Sequence, residues 1–242
     1  MIYAICNQKG GTGKTTTTAA LAQAAVYRGK TALAVDLDAQ GNLTYALKAE
    51  TGEKNSQAML HGALAADMIQ TTPQGVDVIA AAWELSIERT GQGSARRLQN
   101  ALKRIKKAYD AIFIDTPPNA GELQYNALQA ADRYIIPLRA DAFSLQGLYQ
   151  TLATVRAVRE NNKELKPAGY ILTQYSGRTN LERHFAEVIQ QQAEALGVPF
   201  LGRVRPAVVV GEAEAFQESL FDSAPKSNPV KDYLAIFDKL NI

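Results

Sequence analysis

The ten residues Asn7-Gln8-Lys9-Gly10-Gly11-Thr12-Gly13-Lys14-Thr15-Thr16 stand between an apolar run at 2–6 and an alanine-rich stretch at 15–27. The first flank has the character of a buried strand and the second that of a helix, so the glycine-rich segment joins strand to helix. No other feature narrows the fold as far, because glycines let backbone N–H groups approach phosphate oxygens while the positive end of the helix faces the negative charge. Gly10, Gly11, Thr12, Gly13, Lys14, Thr15 and Thr16 are therefore candidate nucleotide-binding residues. Lys14 is the candidate for contact with the β- and γ-phosphates, and the Thr15 hydroxyl for Mg2+. The strict pattern G-x-x-x-x-G-K-[ST] fails at one point, where its first glycine falls on Gln8. A second lysine, Lys9, stands near the start of the loop.

Two further segments end in acids. After the helix stop Arg28-Gly29-Lys30 comes Thr31-Ala32-Leu33-Ala34-Val35-Asp36-Leu37-Asp38-Ala39-Gln40-Gly41-Asn42, a buried strand closing on two carboxylates. Alternation puts Asp36 and Asp38 on one face near the carboxyl end of a parallel strand, where ligands of such sheets bind. In Tyr109-Asp110-Ala111-Ile112-Phe113-Ile114-Asp115-Thr116-Pro117-Pro118 an apolar strand delivers Asp115, and the two prolines stop the strand from continuing.

Together, K-G-G-T-G-K-T-T, D-L-D-A-Q-G-N and D-T-P-P resemble the deviant Walker A ATPases, the superfamily of ParA/Soj partition proteins, MinD and the nitrogenase iron protein. The likeness to ParA/Soj covers essentially the whole chain and is strongest up to about Gly147. It implies ATP and Mg2+ as cofactors, with Lys9, Lys14 and Asp38 as catalytic residues and Thr15, Asp36 and Asp115 around the metal. By that correspondence Lys9 reaches the nucleotide of a second subunit, a positive group supplied in trans. Asp38 positions or polarises the attacking water, Asp36 supports the Mg2+ and loop network, and Asp115 holds Mg2+ through a coordinated water. Ala39 stands where the family has proline. Asp141 matches an acid in the family's dimer-facing loop.

The same likeness implies an ATP-dependent homodimer, nonspecific DNA binding by that dimer, and slow hydrolysis stimulated by a ParB-like centromere-binding partner. The first strand starts at residue 2, which leaves no room for a signal peptide or an upstream helix-turn-helix. The expectation is a short Soj-like form without operator recognition, cytoplasmic and nucleoid-associated when ATP-bound.

At 242 residues without a linker-like tract, the chain is expected to be a single domain over 1–242. Further apolar strands are predicted at 76–80, 134–138, 169–173 and 198–201, separated by helical patterns. That alternation predicts an α/β P-loop NTPase with a mostly parallel twisted sheet and helices on both faces. Cys6 is the only cysteine, so the chain cannot supply the cluster ligands of the nitrogenase iron protein.

A formal net charge of +2 means that DNA affinity must come from a local patch. One candidate patch is a helix carrying Arg96, Arg97, Lys103, Arg104 and Lys107 on one side and Leu98, Ala101, Leu102, Ile105 and Ala108 on the other, which reads as a solvated outer face. The C-terminal candidates are Arg178, Arg183, Arg203, Arg205, Lys226 and Lys231. The Soj pattern I-P-R-N-V-R-L-S-E-A is poorly matched by residues 204–213, where its second arginine falls on Val209.

Two rival functions share the nucleotide site. A MinD-like membrane switch would use a basic amphipathic C-terminal helix, but Tyr233, Leu234, Ile236, Phe237 and Leu240 share their helix with two lysines offset by two aspartates. That face is expected to pack on the protein's own core, without membrane binding. A small-molecule synthetase of the cobyrinic-acid or dethiobiotin type is the other rival; D-x-D-x-Q-G-N with D-T-P-P resembles the partition branch instead.

Overall fold

The computed structural model describes residues 1–87 and 96–242. The strands are β1 (Ile2–Ile5), β2 (Ala32–Asp36), β3 (Gln70–Thr71), β4 (Asp77–Ile79), β5 (Ala111–Asp115), β6 (Arg133–Arg139), β7 (Lys166–Thr173) and β8 (Phe200–Arg203). They form one sheet in the order β3-β4-β2-β5-β1-β6-β7-β8, parallel throughout except for the antiparallel β3–β4 pair. The helices are α1 (Lys14–Tyr27), α2 (Asn42–Ala46), α3 (Ser56–Leu60), α4 (Arg97–Lys103), α5 (Glu122–Ala130), α6 (Ser144–Arg159), α7 (Asn180–Ala195), α8 (Val208–Phe216), α9 (Leu220–Ser223) and α10 (Asn228–Lys239).

The central strands are apolar apart from charged residues at their ends, and the twofold strand period sorts their residues onto two cores. Ile2, Ala4, Leu33, Val35, Ile112 and Ile114 face one side, where α4, α5, α6 and α7 supply Leu102, Leu128, Val155 and Ile189. Tyr3, Ile5, Ala32, Ala34, Ala111 and Phe113 face the other, covered by α1 and α8 to α10. This is the expected mostly parallel α/β architecture. Helix α1 is alanine-rich because it is enclosed: the sheet lies on one side and α10 packs against another, and small side chains let all three approach.

The C-terminal face packs inward. Tyr233, Ile236, Phe237 and Leu240 are buried in the second core, and Leu234 packs against it. The α10 acids are not spent on their lysine neighbours: Asp232 binds Arg205 at 2.6 Å and Asp238 binds Arg28 at 2.7 Å. Among the described residues, no helix is long and apolar enough to cross a membrane.

Other expectations need correction. The basic helix expected across 96–108 breaks after Lys103, and a separate 3-10 turn occupies Lys106–Ala108. Leu98 and Leu102 are buried as expected, but Ala108 is exposed, so the single-helix projection of the lysines and arginines does not hold. The short strand β3 was not foreseen; two residues are too few to carry a period. Strand β7 begins three residues earlier than expected, and β8 begins two residues later.

Candidate nucleotide site

Strand β5 lies between β1 and β2, with Asp115 in register with both Ile5 and Asp36. Three segments distant in sequence therefore leave the sheet side by side at its carboxyl edge. The loop after β1 runs into α1 with Gly11 and Gly13 at φ 69° and 80°, left-handed conformations that only glycine adopts cheaply. Gly13 caps α1, and the loop is tied to β7 by the Thr173 hydroxyl, which donates to the Thr12 carbonyl at 2.8 Å.

Lys14 is buried at the start of α1, and its ammonium donates to the Lys9 carbonyl at 3.3 Å. Burial pushes its pKa down, while Asp115 and Asp38 pull the other way. Thr15 Oγ1 donates to Asp115 Oδ2 at 2.7 Å. The other oxygen, Asp115 Oδ1, is buried and has no hydrogen-bond partner among the described residues. Burial, then the Asp36 charge, pushes the Asp115 pKa up to about 8.

Asp36 is equally enclosed but fully engaged. Its Oδ2 accepts from the Thr44 backbone N–H at 2.9 Å and hydroxyl at 2.8 Å, and its Oδ1 from the Asp38 N–H at 3.0 Å. Burial raises its pKa to about 6. Asp36 thus staples the turn after β2, whereas Asp38 lies half-buried on the loop cavity with Oδ1 accepting from the Gln40 N–H.

Hard divalent cations take oxygen donors and often only one or two protein carboxylates, completed by substrate phosphates. Thr15 with the orphaned Asp115 oxygen fits such an ion. Among the described residues no group of three or more acids, histidines or cysteines could hold one alone.

A cavity of about 640 Å3 runs along Gly10 to Thr16 and is bounded by Asp38, Pro118 and Glu214. Beside it lies a mainly apolar cavity of about 520 Å3 walled by Val204, Pro206, Val208 and Tyr233. Both share Gly13, Thr16, Gln174, Gly211 and Glu214. Lys9 lines neither: its ammonium lies 2.6 Å from Asp141 and 5.6 Å from the centre of the exposed Phe143 ring.

Sequence reasoning singled out Asp141 without its partner, and it missed Glu214, whose Oε1 accepts from Thr16 Oγ1 at 2.6 Å. It also missed the apolar cavity. Pro206, just beyond the carboxyl end of β8, was the available signal for that wall.

The chain matches a family model described as an AAA domain over residues 1–167. It is 41% identical over 199 residues to the sporulation initiation inhibitor protein Soj of Bacillus subtilis, covering 78% of this chain and 79% of that protein. The chain belongs to the ParA/Soj family of partition ATPases. The chromosome-partitioning ATPase Soj of Thermus thermophilus is 33% identical across 98% of this ParA/Soj chain and 94% of its own length. Among solved structures, cobyrinic acid a,c-diamide synthase of Mycobacterium smegmatis with bound ATP analogue and magnesium superposes with a TM-score of 0.78, at 28% identity, over 94% of this chain and 98% of that one. The cell division ATPase MinD of Pyrococcus furiosus shares the fold, with a TM-score of 0.81 at 24% identity over 99% and 98% of the two chains. The chain is a P-loop NTPase.

In this ParA/Soj chain the basic DNA candidates are not equivalent. Arg205 is held by Asp232 through two guanidinium nitrogens at 2.9 and 2.6 Å. Arg183 donates to the carbonyls of Gly177 and Arg178, and Arg203 lies over the Tyr175 ring. Arg178, Lys226 and Lys231 are exposed. Val209, at the position of the missing arginine, is half-buried against the second core.

Proposed function

We propose that the chain is an ATP-hydrolysing positioning switch whose working state is a homodimer closed over two ATP molecules. ATP binds with its phosphates along residues 10–16 and its base in the apolar cavity. Lys14 and the N-terminus of α1 stabilise the phosphate charge. Thr15 and Asp115 would hold magnesium, which would supply a hard positive charge beside the phosphates. Asp36 keeps the switch turn in place behind them. Asp38 orients the attacking water, and Lys9 of each chain contacts the partner's phosphates, where charge develops during transfer.

The observation that carries this reading is the placement of Lys9. Its ammonium lies outside its own chain's loop cavity, on Asp141, while Lys14 lines that cavity. A lysine so turned is available to a facing copy and poorly placed for its own loop.

The closed dimer binds DNA nonspecifically, because two weak basic patches joined in one body gain avidity, and this associates it with the nucleoid. Binding falls steeply with salt as phosphate counterions are displaced. A ParB-like partner accelerates hydrolysis and reopens the dimer.

Size-exclusion chromatography with light scattering, run alongside hydrolysis assays, tests the scheme. Asp38→Ala should bind ATP and accumulate as a dimer, Lys14→Ala should lose nucleotide binding, and Lys9→Ala should bind nucleotide yet stay monomeric. Normal hydrolysis by Asp38→Ala would remove that residue from the mechanism. ATP-loaded protein that ignores DNA at low salt would remove the DNA step.

A further inference from the structure

Gly147 stands in the first turn of α6, in a helix that glycine does not favour. Its backbone faces the start of the phosphate loop. A Cβ at this position would lie 2.7 Å from Asn7 Oδ1 and 3.2 Å from Lys9 Cβ. The Asn7 carboxamide has nowhere to retreat: it is fully buried, its Nδ2 donates to the Pro137 carbonyl at 2.7 Å, and its Oδ1 accepts the Lys9 backbone N–H at 2.9 Å.

The next turn of the helix holds the intervening residue. The Gln8 N–H donates to Thr151 Oγ1 at 3.3 Å, and the Gln8 side-chain amide donates to Thr154 Oγ1 at 2.7 Å. Gln8 occupies the place where the strict loop pattern has glycine, and here its side chain bolts the loop to α6. At the helix entrance Asp141 takes the Lys9 ammonium. The Lys9 backbone is thus held by Asn7, which is tied to β6 and fills the space left by Gly147, and the Lys9 ammonium by Asp141 at the entrance to α6.

We propose that Gly147 is a positioning residue that seats Asn7 and through it aims Lys9; this rests on the trans role of Lys9 proposed above. A methyl group at 147 pushes the Asn7 carboxamide from its seat and shifts the Lys9 backbone, which touches Lys14 only through the 3.3 Å contact to its ammonium, while Thr12 and Thr15 keep their anchors on β7 and β5. The chain then binds nucleotide normally and fails at the step that needs the lysine.

The experiment measures nucleotide affinity, ATP-dependent dimerization and hydrolysis for Gly147→Ala, Asn7→Ala, Lys9→Ala and the double variants. Gly147→Ala should keep nucleotide affinity within about twofold and lose about 10- to 100-fold in hydrolysis, the scale of a misplaced catalytic group. Asn7→Ala, which leaves the helix untouched, should show the same split, so a folding failure of Gly147→Ala alone does not end the test. On the Lys9→Ala background Gly147→Ala should cost nothing more, because both act on one group. A further loss on that background, or normal hydrolysis by both Gly147→Ala and Asn7→Ala, overturns the proposal and leaves the trans reading standing. Normal dimerization and hydrolysis by Lys9→Ala overturns the trans reading, and the role of Gly147 falls with it.

Discussion

The Lys9 ammonium lies 2.6 and 2.7 Å from the two carboxylate oxygens of Asp141, 132 residues further along the chain. Asp141 also accepts from the Ser144 hydroxyl and the Phe143 N–H at the entrance to α6. The lysine that distinguishes this phosphate loop is therefore parked on a carboxylate outside its own loop cavity.

The pair is partly solvated, with side chains 24% and 35% exposed, so Asp141→Asn should cost less than about 1 kcal/mol in urea unfolding. Burial raises the Asp141 pKa, but the Lys9 hydrogen bond and its other donors outweigh burial and hold it below the ordinary value. The stability it adds is thus full above the unfolded pKa of about 4 and is lost as pH falls through the lower folded value. Asp141→Asn should flatten that acid limb. An unchanged acid limb would contradict the pairing.

Asp115 behaves in the opposite sense. Its folded pKa is raised to about 8, so in metal-free protein the burdensome charge appears as pH climbs from about 4 to about 8. Asp115→Asn should therefore melt above the wild type without Mg2+, with the larger gain at pH 9 than at pH 5, while losing Mg2+-dependent hydrolysis. Thermal melts at the two pH values check the sign.

Phe237 is buried between α10 and the sheet. Phe237→Ala should cost about 3–5 kcal/mol in denaturant unfolding, as expected for an aromatic removed from a core. A cost under about 1 kcal/mol would mean that the helix face does not belong to the core.

Cys6 is fully buried, and desolvation pushes its thiol up to about 12, so neither access nor thiolate is available near neutrality. Its modification by a thiol reagent at pH 8 should follow global unfolding. Rapid stoichiometric labelling of native protein would contradict the burial.

The sheet was legible because its signals are local. Uninterrupted apolar runs at 2–6, 32–35 and 111–114 mark strands covered on both faces, and glycines followed by Lys14 and Thr15 mark the turn into α1. Asp36 and Asp115 were legible as acids at strand ends, but their different duties were not. Thr44 reaches Asp36 from the next helix, and among the described residues no hydrogen-bond donor reaches Asp115 Oδ1. The break after Lys103 escaped because a projection assumes the helix it projects.

By itself the sequence determined the strand–loop–helix, the parallel α/β sheet and the acids brought to its carboxyl edge, all of which follow from periodicity and backbone chemistry within a few residues. Only the tertiary structure decided where Lys9 points, that Glu214 meets Thr16, and that Gly147 makes room for Asn7. Each of those contacts joins residues more than a hundred positions apart, and each depends on the order in which strands lie in the sheet. Local pattern does not encode that order; the packing of whole helices on the two faces does.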